Sequence, residues 1–516
     1  MATTQRRSWS RPLLIGVLVL LVAGIAAALV FQHLLEQKIQ QQFSQNARFE
    51  GTAEAVEYSL LSNRLTISGI TLKKYEGLPM DASCAKFTSE GIDRLYLLDI
   101  LLDKTLKNVP PVLHVGDVEV QDLRVNLDKE LTISLGQRRI VNLSLDMNQL
   151  KPLLLKHRAK GSNAASTDTS SLVYQDILTC LSYDKGYGRD IQFALHMPEA
   201  LVLTIKELME SQVDHGNFAY SEVSGIRLTG DLGSLMGKAG SSSAQQELGS
   251  IGRIAIEDFY CTSELLSAAP DSMTEDEALD LLKKIFLGEK PFVKKFVIEN
   301  LRSEVTPNAR VALQNLTWEN TSTSPFNCSL SVKGLSTPTM PSLGLLGYKR
   351  LDVDASVALE IPTRVAGPAF CKLFLDGKNA GILTLHGDYI VQDLKAFHEA
   401  DPRFISVSKF VLALKDEGLL KRVEQLSALF TGKPSLSAAL DASMSTMPER
   451  YRTPTNLKNL EAVKTFLDHS GSIEFVFAPE KPLPITQLED DTVFFNTLTV
   501  TATPAQPATA APDTTK

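Results

Sequence analysis

Apolar residues along the chain alternate and then slip by one position. In LTISGITL, Leu65 and Ile67 alternate, the parity shifts across Ser68 and Gly69, and Ile70 and Leu72 resume the alternation. Alternate side chains of a strand share a face, so the slip throws the second half onto the other face unless a bulge or bend absorbs the extra residue. Gly, Asp or Asn at the slip favours such a bend, because each tolerates turn-like backbone conformations. The unit reads as a short strand, a kink and a short strand. Written as apolar, any, apolar, any, Gly/Asp/Asn, apolar, any, apolar, it recurs at 118–125 (VEVQDLRV), 254–261 (IAIEDFYC), 311–318 (VALQNLTW) and 389–396 (YIVQDLKA). Copies with one outer slot polar lie at 138–145, 221–228, 296–303 and 330–337, and a copy at 405–412 puts Lys409 at the kink. Their irregular spacing excludes a strict short-repeat solenoid and predicts a β-rich α+β fold of kinked antiparallel strands.

Helical periodicity interrupts this framework. Leu35, Ile39 and Phe43 fall at i, i+4 and i+8 and predict a juxtamembrane helix over 32–48. A capping box at Thr274–Glu277 opens a helix over 275–287, a second amphipathic helix covers 417–431, and a third covers 457–467. Stretches 159–171 and 230–250 are rich in Gly, Ser and Ala and read as linkers.

The strongest single signal is at the N-terminus. Residues 12–31 carry no charge and match the roughly 20 needed to cross a bilayer as a helix, and Arg6, Arg7 and Arg11 precede them. The arginines place the N-terminus in the cytoplasm and everything after the span outside it. A cleaved signal peptide is the alternative, with Ala26, Ala27 and Ala28 at a cleavage site, but the apolar run continues past them. The layout is then 1–11 cytoplasmic, 12–31 transmembrane anchor, 32–48 juxtamembrane helix and 49–158 β-rich N-terminal domain. A β-rich middle region follows over 171–346, then a C-terminal α+β region over 347–502 and a disordered tail over 503–516.

A net charge of -8 and a pI near 5.6 exclude nucleic acid as the main partner, because phosphate binding needs a basic face. The five cysteines have no CxxC spacing and read as buried apolar residues or, in an oxidising compartment, as a disulfide pair or two. The chain has no GxSxG, HExxH or GxGxxG motif, and the loop 233–239 lacks the length and hydroxyl of a phosphate loop. His114, His196 and His386 are dispersed in strands, and Glu489, Asp490 and Asp491 are too close together to supply a hard cation's ligands. No catalytic, cofactor-binding or metal residue is predicted, and the expectation is a protein that is not an enzyme.

The order of a single span, EYSLLSNRLTISGITL (57–72), DRLYLLDILLDKTL (93–106) and VGDVEVQDLRVNL (115–127) resembles the N-terminal region of the AsmA-like family of Gram-negative envelope proteins. The resemblance implies a long curved sheet with an apolar concave face for acyl chains. It also implies an inner-membrane anchor with the bulk of the chain in the periplasm, and a role in phospholipid handling or envelope integrity. Its implied partners are the inner membrane, phospholipid acyl chains and other envelope proteins. The residues themselves leave a second reading open, a membrane-tethered scaffold whose apolar sheet face is covered by its own helices.

Overall fold

The computed structural model describes residues 28–41, 43, 49–75, 78–94, 96–97, 110–127, 131–150, 152, 179–196, 201–230, 246–260, 293–303, 310–338, 344–398, 401–431 and 435–505. The chain divides into two compact units, Met1–Gln246 and Glu247–Lys516, with the boundary inside the polar stretch 230–250. No helix among the described residues is long and apolar enough to cross a membrane. Residues 12–27 of the predicted anchor lie outside the described residues, as do the predicted helix 275–287, most of 93–106, the stretch 159–171 and the tail from 506.

The first unit is an antiparallel meander. Strands β1 (Phe49–Thr52) and β2 (Ala55–Ser59) pair with the two ends of β3 (Arg64–Tyr75). β4 (Leu78–Glu90), β5 (Val112–Leu127), β6 (Leu131–Asp146), β7 (Leu181–Leu195), β8 (Leu201–Asp214) and β9 (Asn217–Gly230) then follow, each antiparallel to the one before. Helix α1 (28–41) does not simply extend the predicted span. Its Leu35 is fully buried among Tyr58, Leu65, Ile67, Leu113 and Val115, with Phe31, Ile39 and Phe43 packed around it. The Tyr58 amide donates to Glu36 Oε1 at 2.8 Å and fixes the helix on the sheet.

Most of the kinked units lie within one long strand rather than between two short ones. At Gly69, Asp122, Asn142, Gly225, Asp258, Asn300 and Gly334 the kink residue adopts a positive φ of 49–64°. No residue is inserted at most of these positions. Across β5 and β6 the pairing runs from Val112↔Asp146 to Leu127↔Leu131 in constant register, although Asp122 and Asn142 both lie inside it. The left-handed residue resets the pleat, so apolar residues on both sides of the slip reach one face: Leu65 and Ile67 before Gly69 and Ile70 after it join one cluster. At Gly136 an added Cβ would lie 3.0 Å from Asp190 Cβ, which is why a residue without a side chain stands there.

Four copies of the pattern behave differently. Gly334 in β13 and Ser408 in β17 sit at true one-residue bulges, the second displacing the kink from Lys409. Asn315 is not among the positive-φ residues. The copy at 389–396 is not a kinked strand: its strand ends at Val391, and Asp393 Oδ1 accepts from the amides of Lys395 and Ala396 at 2.8 and 3.2 Å to start a helix.

The second unit is also a meander: β10 (Gln246–Phe259), β11 (Val293–Ser303), β12 (Val311–Thr323), β13 (Phe326–Pro338), β14 (Arg350–Ile361), β15 (Gly367–Gly377), β16 (Gly381–Val391) and β17 (Ile405–Asp416). β17 then pairs with β18 (Ser472–Phe477) and briefly with β19 (Leu483–Pro484), and β18 pairs with β20 (Leu498–Thr503). The helices are α2 (Leu394–His398), α3 (Leu419–Thr431), α4 (Leu436–Ser445), α5 (Pro454–His469) and α6 (Asp491–Thr497). α3 and α5 match predicted helices. α5 starts on Thr453, whose hydroxyl accepts from the Asn456 amide, with Pro454 preset for the first turn. α4 has no counterpart in the periodicity, although Ser435 caps it through the Ala438 amide at 3.1 Å.

Candidate functional site

Directly paired residues of an antiparallel sheet share a face, so the registers convert strand patterns into ladders. In the first unit one ladder runs Ala82, Val125, Ile133, Phe193, Leu203, Leu228 across β4 to β9. A second runs Cys84, Leu123, Leu135, Ile191, Ile205. The intervening ladder, on the opposite face, is Ser83, Arg124, Ser134, Gln192, Thr204, Arg227. The sheet is therefore apolar on one side and polar on the other.

The second unit repeats this on a larger scale. One ladder reads Ile256, Phe296, Trp318, Leu330, Val357, Leu373, Leu385, Leu412, Phe475, Val500, apolar in every strand from β10 to β18 and on into β20. The adjacent ladder on the other face begins Glu257, Lys295, Glu319, Ser329.

Cover over these apolar faces is uneven. Among the described residues, α1 buries the β2–β3 end in the first unit, and α5 buries Ile473 and Val500 under Phe466 in the second. Ala82 and Cys84 at the β4 end are also buried, whereas the ladder residues from Leu123 to Leu228 are only half-buried, with Leu228 37% exposed. Finishing the burial of the nine ladder residues from Leu123 to Leu228 would release roughly 0.5 kcal/mol each, on the order of 5 kcal/mol together.

A polar island interrupts the first unit's face. Arg138 pairs with Glu210, and the Tyr183 hydroxyl donates to Glu210 Oε2 at 2.8 Å. Burial, reinforced by the Glu210 carboxylate, pushes the Tyr183 phenol far above its usual range, so the island is neutral overall. Gly186 lies beneath it, where an added Cβ would come within 2.9 Å of both Glu210 and Tyr183. Ile191 Cδ1 lies 3.2 Å from the corresponding position at Gly188, which places the island on the same face as the apolar ladders. Arg138 Nη1 is buried and donates to none of the described groups.

The residues singled out from sequence are not gathered. His114 bonds Ser144 Oγ at 2.8 Å, His196 bonds Thr132 Oγ1 at 3.0 Å, and His386 bonds Asp388 Oδ2 at 3.0 Å, each on its own strand or strand end. Asp490 caps α6 through the Thr492 amide at 2.9 Å. Cys84, Cys328 and Cys371 are free thiols. Among the described residues no group of His, Cys, Asp and Glu could hold a metal ion. The loop 233–239 and Cys261 lie outside the described residues. Sequence reading did not find the island, since Gly186 and Gly188 occupy the apolar slots of the unit around Asp190, whose φ is 53°.

A family model described only as "Uncharacterized protein" matches residues 375–503, the segment that contains β16 to β20 and α2 to α6. No curated protein and no solved structure matches the chain.

Proposed function

We propose that the protein is a single-pass inner-membrane protein, AsmA-like in kind, whose periplasmic bulk handles phospholipid or maintains the envelope without acting as an enzyme. One observation carries the reading: apolar ladders several strands wide are left half-exposed on one face, while the opposite face of the same strands is polar. A surface of that kind needs a cover, and acyl chains laid across the strands supply one without requiring shape-specific packing. The Arg138 Nη1 donor offers a fixed point for a headgroup or ester oxygen. The charge-free run at 12–31 supplies the anchor.

The alternative, a membrane-tethered scaffold for envelope proteins, draws on the fact that α1 and α5 already cover parts of the apolar faces. Lipid mass spectrometry of the purified full-length chain separates the two. The lipid reading expects stoichiometric phospholipid that falls several-fold in a Phe193→Glu, Leu203→Glu variant. Phospholipid no more abundant than on an unrelated single-pass protein purified alongside would reject it.

A further inference from the structure

Asp491, the last residue of the acidic run 489–491 that reads from sequence as a solvated loop, borders a cavity of about 430 Å³ in the second unit. Leu460 and Val463 of α5, Phe475 of β18 and Leu498 and Val500 of β20 form its apolar floor. Its mouth is aromatic and acidic. Tyr451 and Phe495 meet edge to face at 6.0 Å, and the Tyr451 hydroxyl donates to Asp491 Oδ2 at 3.3 Å.

Two asparagines one helical turn apart also line it, and they differ. Asn459 uses both ends of its amide on β20. Asn456, only 6% exposed, donates through Nδ2 to the Tyr451 carbonyl at 3.0 Å, but its Oδ1 is buried and accepts nothing from the described groups. A buried, unpartnered acceptor costs about 1–3 kcal/mol, so it marks a place where a donor belongs.

The polar capacity this cavity has to spare is thus acceptor capacity: Asn456 Oδ1, which has no donor among the described groups, and the remaining lone pairs of the Asp491 carboxylate and the phenol oxygen. An acceptor-only set beside aromatic rings selects a cationic, donor-rich head. The Tyr451 ring already carries one cation, the Arg450 guanidinium at 4.7 Å, and the Phe495 ring is 42% exposed. The apolar floor starts directly behind the mouth, so the head must be bonded straight to an apolar body. An ethanolamine lipid head, which continues into a phosphate, does not meet that requirement. At about 30 Å³ per water-sized atom the cavity has room for roughly 14 heavy atoms.

We propose that this cavity binds a primary ammonium ion carried on a compact apolar body, such as an arylalkylammonium. The floor takes in Phe475 and Val500, the last two rungs of the second unit's apolar ladder, where α5 packs over it, and the proposal does not depend on the lipid reading.

Isothermal titration calorimetry of the full-length protein with phenethylammonium, 2-phenylethanol and phenylacetate tests it, because the three share a body and differ in head. The expected result is one phenethylammonium per chain, bound at least tenfold more tightly than either analogue. Asp491→Asn, an exposed change that keeps an acceptor oxygen for the Tyr451 hydroxyl, should erase that tenfold advantage, with a thermal melt alongside to check that the fold is retained. Equal affinity for the three probes, no binding of phenethylammonium, or an unchanged advantage in Asp491→Asn would overturn the proposal.

Discussion

Asn459 ties α5 to the edge of the second unit's sheet, and replacing it shows how much that tie is worth. The side chain is 8% exposed, donates to the Leu498 carbonyl at 2.7 Å and accepts from the Val500 amide at 2.9 Å, filling the role of a neighbouring strand. Asn459→Leu keeps the volume but strands a buried N–H and a buried C=O, at about 1–3 kcal/mol each. The added apolar burial returns roughly 1–2 kcal/mol, which leaves a net loss centred on about 2.5 kcal/mol. Hydrogen exchange followed by mass spectrometry reads this directly. Protection of the β20 peptide around Val500 should fall by about 70-fold, at 1.36 kcal/mol per decade. Asn456→Leu is the control, since it removes one side-chain bond and an acceptor that was already unpartnered. It should cost no more than about 1 kcal/mol, as one hydrogen bond is exchanged for apolar contact. If the two variants lost equal protection, or Asn459→Leu exchanged like the wild type, the reasoning about edge pairing would be refuted.

Asn300, with φ 54°, should accept Gly at little cost, whereas Asn300→Val should lose about 1–3 kcal/mol in a thermal melt, because a β-branched residue resists the left-handed region. Asp354 accepts from the Gly334 amide at 2.6 Å and pairs with Lys378, and the first of these chiefly holds its carboxyl below the ordinary 3.8. Its stabilisation is therefore present above pH 3.8 and lost as the pH falls through the lower folded value. Asp354→Asn should flatten that part of an acid-unfolding curve, and an unchanged curve would contradict it. Burial pushes the Cys84, Cys328 and Cys371 thiols up, so iodoacetamide at pH 8 should label them slowly until denaturant is added.

The kinked-strand pattern was legible because the residue at the slip must tolerate positive φ, and Gly, Asp and Asn do so most readily. That rule located Gly69, Asp122, Asn142, Gly225, Asp258, Asn300 and Gly334. It passed over Gln212, φ 49°, because glutamine is not a turn-former and Glu210 fills an apolar slot for the sake of its pair with Arg138. It also misread Asp393, since a short polar residue that kinks a strand is equally suited to cap a helix. The constancy of register could not be read locally, because it depends on Gly136 or Gly252 standing opposite a kink in another strand. The C-terminal cavity was hidden for a related reason. The stripe on α5 reads as core, and only Asn456 and Asn459 on its buried face betray a polar task.

The central claim is that one face of these sheets carries lipid and the other does not. Benzoylphenylalanine placed at Leu203 or Leu135 on the apolar ladders, or at Thr204 or Ser134 on the polar one, tests it in intact cells. After irradiation and purification, mass spectrometry should find phospholipid adducts from Leu203 and Leu135 and none above background from Thr204 and Ser134. Adducts of equal yield from both faces, or from neither, would contradict the account.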